Sequence, residues 1–191
     1  MGKIILISGP NGSGKSRFAE GLAEKFPGRR YYIATMKPQT EDNLRRIQRH
    51  REQRKKLDFT TLELPYQVGK ADIPDDSVVL LEDVSNLLAN TVFEHHGTME
   101  EVFRDISALS EKSETLIAVT ISGLAPDGYE GETAAYINAL NRLNQQLYER
   151  SAAAAEMESG VSKWKKGDLN EMVRIPGCGA VHLQRDPHAP V

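Results

Sequence analysis

Cysteine is nearly missing from this 191-residue chain: Cys178 is the one instance, so no intrachain disulfide can form and a reducing compartment is expected. No run of residues approaches the ~18 consecutive apolar positions that a membrane-spanning helix needs. Charge of either sign is scarce in excess, because 24 Lys and Arg face 27 Asp and Glu, leaving a net charge of -3. A dedicated nucleic-acid binder ordinarily carries a basic surplus, so that class is disfavoured. Internal repeats and long low-complexity tracts are also missing, and Met1-Gly2-Lys3 runs into a strand-like segment without signal-peptide architecture. These absences point to a cytoplasmic globular protein, and the length suits one domain over residues 1–191.

Short apolar runs alternate with helical patterns along the chain. Ile4-Ile5-Leu6-Ile7 reads as a strand buried on both faces, and Phe18, Leu22 and Phe26 follow at helical spacing up to Pro27-Gly28. Tyr31–Thr35, Phe59–Leu64, Val78–Leu81 and Leu116–Val119 are further strand candidates. Helices are expected over about Glu41–Leu57, around Leu87–Phe93, over Met99–Glu111 and over Thr133–Ala155. A final strand is expected at Met172–Ile175 or Ala180–Leu183, with a frayed tail from Asp186 to Pro190. The alternation predicts a three-layer α/β/α fold with a mainly parallel sheet.

Gly9-Pro10-Asn11-Gly12-Ser13-Gly14-Lys15-Ser16 fits the pattern Gly, four residues, Gly-Lys-Ser, between a strand and a helix. Glycines let backbone N–H groups converge on phosphate oxygens, Lys15 adds a mobile cation, and Ser16 offers a hydroxyl to Mg²⁺. The helix that follows presents its positive end to the same anion. Such a loop works with a carboxylate at the end of another buried strand. Glu82 and Asp83, after Val78–Leu81, both suit that place, and spacing leaves the choice between them open.

Arg45 to Lys56 holds seven cations against one acid, with almost no apolar stripe. Helical spacing puts Arg46, His50 and Arg54 on one face, either as a solvated surface or as one that meets anions. Cations beside His50 disfavour imidazolium and keep the ring neutral and nucleophilic near pH 7. Three other features carry no assigned chemistry. His95-His96 is read as a solvated helix end, Lys163-Trp164-Lys165-Lys166 as a surface loop with a partly buried indole, and Asp127 and Tyr129 as part of a Gly-rich loop.

Taken together, these residues make the chain resemble the adenosylcobinamide kinase/adenosylcobinamide-phosphate guanylyltransferase family of cobalamin biosynthesis. The likeness runs through Ser13-Gly14-Lys15-Ser16-Arg17, Ala19-Glu20, Tyr32-Ile33-Ala34-Thr35, Arg46-Ile47-Gln48 and His50-Arg51. It continues in Arg54, Thr61-x-Glu63, Leu80-Leu81-Glu82, Asn90 and Asn144-Gln145, up to about Ala155. Pro10 and Gly12 depart from the family's loop, and Ile121-Ser122-Gly123-Leu124 stands where the family carries Asn-Glu-Val-Gly. The resemblance implies a P-loop NTPase-like fold and two activities. One phosphorylates adenosylcobinamide from ATP or GTP; the other carries GMP from GTP through a histidine to adenosylcobinamide phosphate. By position, His50 would carry the GMP, with Lys15 and Glu82 also catalytic. Nucleotide contacts would come from Gly9 to Ser16, Arg46, Arg54, Glu63 and Glu82. Ser16 with Glu82 or Asp83 would serve Mg²⁺, and a homo-oligomer, specifically a trimer, is implied. Two other readings stay open: a P-loop kinase with another hydroxyl acceptor, and a non-catalytic nucleotide-binding regulator.

Overall fold

The computed structural model describes residues 2–54 and 57–167, and for Arg46, His50, Gln53 and Arg54 it describes the backbone alone. Its centre is a seven-stranded sheet with the order β3-β2-β4-β5-β1-β6-β7, in which every pairing is parallel except that of β6 with β7. The strands are β1 (Lys3–Ser8), β2 (Arg29–Ala34), β3 (Phe59–Glu63), β4 (Ser77–Glu82), β5 (Thr115–Val119), β6 (Ala153–Glu158) and β7 (Val161–Lys166). β4 and β5 are apolar along most of their length because helices cover both of their faces, which removes any reason for alternation.

The two faces are packed unequally. Helix α1 (Lys15–Ala23) sits on one, where Ala19, Leu22 and Phe26 meet Ile5, Ile7, Leu80 and Ile117. Helices α3 (Val84–Ala89), α4 (Met99–Lys112) and α5 (Gly131–Arg150) cover the other through Leu87, Ile106, Leu109, Leu140 and Leu147. Helix α2 (Glu41–Arg54) belongs to neither layer. Thr40 caps it by accepting from the Asn43 N–H at 3.1 Å, and Glu41 and Asp42 occupy its first turn, where they favour the helix dipole. Helix α4 begins with a capping box in which Thr98 and Glu101 satisfy each other's backbone N–H groups.

The C-terminal part differs from the sequence expectation in two places. The last long helix was expected to reach Ala155; it stops at Arg150, and Ala153–Glu158 is a strand. Ser151 turns out of the helix and donates its N–H to Leu147 O at 2.8 Å. Ala153, Ala154 and Ala155 are then buried on alternate faces of the sheet beside β1, and that burial outweighs alanine's preference for helix. The polar stretch after Ser159, expected to lack a strand and to form a loop at Lys163–Lys166, is β7. As an edge strand it needs one semi-apolar face only: Trp164 turns in, while Val161, Lys163 and Lys165 face out. The candidate strands at 172–175 and 180–183, Cys178 and the tail lie outside the described residues. The helix expected around Leu87–Phe93 is present: α3 runs directly into a π-helical segment over Asn90–Glu94, in which Phe93 is exposed.

Candidate functional site

Among the described residues, the glycine loop, Glu82, Asp83, Glu63 and Arg51 collect where the parallel strands end. β1 leads into the glycine loop, whose curvature depends on left-handed backbone at Gly12 (φ 73) and Gly14 (φ 89). Gly14 is also the N-cap of α1, so the loop's N–H groups and the helix's positive end converge. Lys15 is mostly buried, and its Nζ donates to Pro10 O at 2.7 Å across the loop. Ser122, in the stretch after β5, donates its N–H to Gly9 O at 3.1 Å and braces the loop from that side. Asn144 fixes the same stretch by accepting from Thr120 Oγ1 at 2.7 Å and donating to Ile121 O at 2.9 Å.

β4 delivers Glu82 opposite α1. The Ser16 hydroxyl donates to Glu82 Oε1 at 2.6 Å, and Glu82 Oε2 is enclosed without a hydrogen-bond partner among the described residues. Burial, then the adjacent Asp83 charge, pushes the Glu82 carboxyl up to about 8; the Ser16 bond and Lys15 oppose this. An enclosed carboxylate beside a hydroxyl offers the hard oxygen donors that a small divalent cation takes. Among the described residues no group of three His, Cys, Asp or Glu could hold a metal unaided. A cation here would therefore draw its remaining ligands from phosphate and water.

Asp83, weighed equally with Glu82 from sequence, does different work. Its carboxylate accepts from Ser85 Oγ at 2.6 Å, the Asn86 N–H at 2.7 Å and Asn86 Nδ2 at 2.9 Å, capping α3. Thr35 Oγ1 accepts from the Asp83 N–H at 2.8 Å, and Asn90 Nδ2 donates to Thr35 O at 2.8 Å and Pro65 O at 2.9 Å. Thr35 and Asn90 thus hold the turn that aims Glu82. Sequence reading found both only as points of family likeness; their burial as polar residues was the missing signal. Replacing Asp83 with Ala is expected to cost about 1 kcal/mol or more by loss of the cap, read as a Tm lowered by roughly 2–4 °C.

Beyond Glu82 lies a cavity of about 200 Å³ between the ends of β2, β3 and β4 and helix α2. Tyr32, Thr61, Glu63 and Glu82 form its floor, and Leu44, Ile47 and Arg51 of α2 its roof. Arg51 pairs with Glu63. Leu44, Ile47 and Arg51 recur at i, i+3 and i+7, one stripe of the helix. The side chains of Arg46, His50 and Arg54 lie outside the described residues. His95 packs against Tyr66 with ring centroids 4.0 Å apart and planes inclined at 54°, and both His95 and His96 are exposed, as a solvated helix end should be. Tyr129 is exposed in the stretch before α5.

The Glu82 geometry fixes a pH dependence. Between the ordinary value of 4.5 and about 8, the folded protein holds a proton that the unfolded chain has released. Stability is therefore greatest at the acid end of that window and falls as pH rises through it. Glu82→Gln, a permanent mimic of the protonated acid, is expected to flatten this slope and to raise Tm at pH 8 by about 3 °C or more. A Tm that varies with pH equally in both proteins between 4.5 and 8 would contradict the assignment.

A glycine loop closing on a helix at the C-terminal edge of a parallel sheet, with a carboxylate on a neighbouring strand bonded to the loop's serine, defines a P-loop nucleotide-binding protein of α/β class. One solved structure agrees on the fold. An ATPase from the type III secretion system of pathogenic bacteria aligns over 92% of this chain and 59% of its own, with a TM-score of 0.51 and 12% identity. The ATP synthase subunit NeqB from Nanoarcheaum equitans aligns over 82% and 45%, with a TM-score of 0.47 and 13% identity. Within that class, residues 5–163 match the family model described as cobinamide kinase / cobinamide phosphate guanyltransferase, and the chain belongs to that family. The bifunctional adenosylcobalamin biosynthesis protein CobU of Escherichia coli (strain K12) is 32% identical over 111 residues. That stretch covers 56% of this chain and 60% of the relative. Among the described residues, no helix is long and apolar enough to cross a membrane.

Proposed function

We propose that this chain, acting as a single cytoplasmic domain, phosphorylates the hydroxyl of adenosylcobinamide from ATP or GTP. It then transfers GMP from GTP to the resulting phosphate through a GMP-histidine at His50. The observation that carries the reading is the continuity between the two halves of the site. Glu82 is bonded to Ser16 of the glycine loop and also lines the cavity roofed by α2.

In the kinase step the loop N–H groups and Lys15 bind the β- and γ-phosphates. Lys15 exchanges its bond to Pro10 O for a phosphate oxygen, so its charge need not be brought in from solvent. Ser16 and Glu82 would hold Mg²⁺, which when bound offsets the charge on the transferring phosphoryl group. The protein's remaining work is positioning, with the acceptor hydroxyl held in line.

In the guanylyl step a neutral His50 nitrogen attacks the α-phosphorus of GTP. A P–N bond forms, the bond to the bridging oxygen breaks, and pyrophosphate leaves. The acceptor's phosphate oxygen then attacks the same phosphorus and regenerates the imidazole. Arg51 and the family-matched Arg46 and Arg54 neutralise the phosphates, while Glu63 sits across the cavity from α2. His50 is the i+3 neighbour of Ile47 and adjoins Arg51, both cavity residues, which supports its assignment. A trimer is part of the proposal, inherited from the family likeness.

The test is incubation with adenosylcobinamide and γ-labelled ATP or GTP. Labelled adenosylcobinamide phosphate is expected. Binding of nucleotide without labelled product would leave the protein as a regulator, a reading favoured by Ile121–Leu124 standing where the family carries Asn-Glu-Val-Gly. Label on a different hydroxyl compound would leave a kinase with another acceptor.

A further inference from the structure

β6 and β7 form a hairpin whose two-residue turn, Ser159-Gly160, is left-handed at both positions, with φ of 50 and 83. That is the tight turn that suits strongly twisted strands. Its tip does not point idly into solvent. The Gly160 N–H donates to Ser13 O at 3.1 Å, inside the glycine loop. At Gly9 a Cβ would lie 2.4 Å from the Met157 carbonyl oxygen, so β6 backbone presses against the loop's first residue. At Gly14 a Cβ would meet Gly160 Cα at 3.7 Å and Met157 Cε at 3.9 Å. Further along β7, Trp164 packs on Phe18 of α1 with ring centroids 6.2 Å apart and planes inclined at 59°. One hairpin thus reaches the start of the loop, its middle and the helix behind it.

A loop so rich in glycine has many backbone conformations open to it, and only a curved one aims its N–H groups at a phosphate. Something outside the loop must select that curve. We propose that the β6–β7 hairpin is the positioning element of the nucleotide site, with Gly160, through its N–H, and Trp164, through Phe18, as positioning residues that touch no substrate. The proposal rests on the reading of the glycine loop as the nucleotide's phosphate site. The benefit of the hairpin is paid out as preorganisation: a loop already curved loses less freedom when nucleotide binds. Ser122 supplies the counterpart on the opposite side through Gly9 O.

The experiment compares Gly160→Pro, which deletes the N–H and cannot adopt the positive φ, with Gly160→Asn, which keeps the N–H and tolerates left-handed backbone. Two quantities are read: nucleotide Kd, and amide hydrogen exchange over residues 9–16 in the nucleotide-free protein. Gly160→Pro is expected to raise Kd for ATP or GTP about tenfold and to speed exchange in the loop by a similar factor, while Gly160→Asn stays within about twofold. Trp164→Ala is expected to raise KM for nucleotide several-fold with kcat at saturation unchanged, a split that general loss of stability does not produce. Should Gly160→Pro fail to fold, Trp164→Ala carries the test: loop exchange and nucleotide KM both equal to wild type in that variant overturn the proposal. Loop exchange and Kd equal to wild type in a folded Gly160→Pro protein overturn the proposal. A wild-type protein that binds no nucleotide refutes the phosphate-site reading instead, and exchange over residues 9–16 still decides whether the hairpin holds the loop.

Discussion

Incubated with Mg²⁺ and α-labelled GTP, the wild-type protein is expected to retain label after denaturation, and His50→Ala to retain none. The retained label should be acid-labile and base-stable, as a phosphorus–nitrogen bond is. Loss of a covalent nucleophile leaves no detour through the same intermediate, so guanylyl transfer is expected to fall by on the order of 10⁴-fold or more. Nucleotide affinity should change little, because the glycine loop and Lys15 are untouched. Phosphorylation of the hydroxyl acceptor should survive as well, since that step uses no histidine. A His50→Ala protein that still forms the adduct would remove His50 from the mechanism.

Lys15→Ala is expected to damage both steps. Nothing else among the described residues combines Lys15's burial in the loop with a cation reaching across to Pro10 O. Removing one preorganised donor from a developing charge costs about 10²–10³-fold in rate. Lys15 also meets the phosphates in the ground state, so affinity for ATP and GTP should weaken too. Unchanged affinity in Lys15→Ala, measured by calorimetry, would dismiss the loop as the phosphate site. The two variants separate cleanly: one should lose the adduct and keep binding, the other should lose both.

The glycine loop and the strands that feed it were readable from sequence because each depends on local pattern. Ile4–Ile7, Val78–Leu81 and Leu116–Val119 are apolar runs bounded by turn residues, and all three are central strands. Ala153–Ala155 was not readable, because three alanines carry the local preference of a helix and the tertiary advantage of a strand between β1 and β7. Trp164 among lysines looked like a loop for a related reason: an edge strand shows its period only once its inward face has a neighbour. Within the site, Glu82 and Asp83 were indistinguishable by position. What separates them is where each carboxylate lands, one on Ser16 and the other on Asn86, and adjacent residues on a bending backbone give no hint of that. Arg51 was visible as one cation among seven, but its pairing with Glu63 depends on α2 lying across the sheet's end.

The position of β1 has a consequence for how the protein comes into being. β1 precedes both of its neighbours, β5 and β6, in the chain, so one side waits for residue 115 and the other for residue 153. At about 5–20 residues per second on a ribosome, the segment ending at Ser16 exists for roughly 7–28 s before its second neighbour has been made. During that interval its apolar strand has an open edge and its phosphate loop has no hairpin behind it. Nascent chains shorter than about residue 160 should therefore be unable to retain nucleotide however complete the loop itself is. A motif made before most of the sheet thus becomes functional only after β6 and β7 follow, and β1 must be sheltered until they arrive.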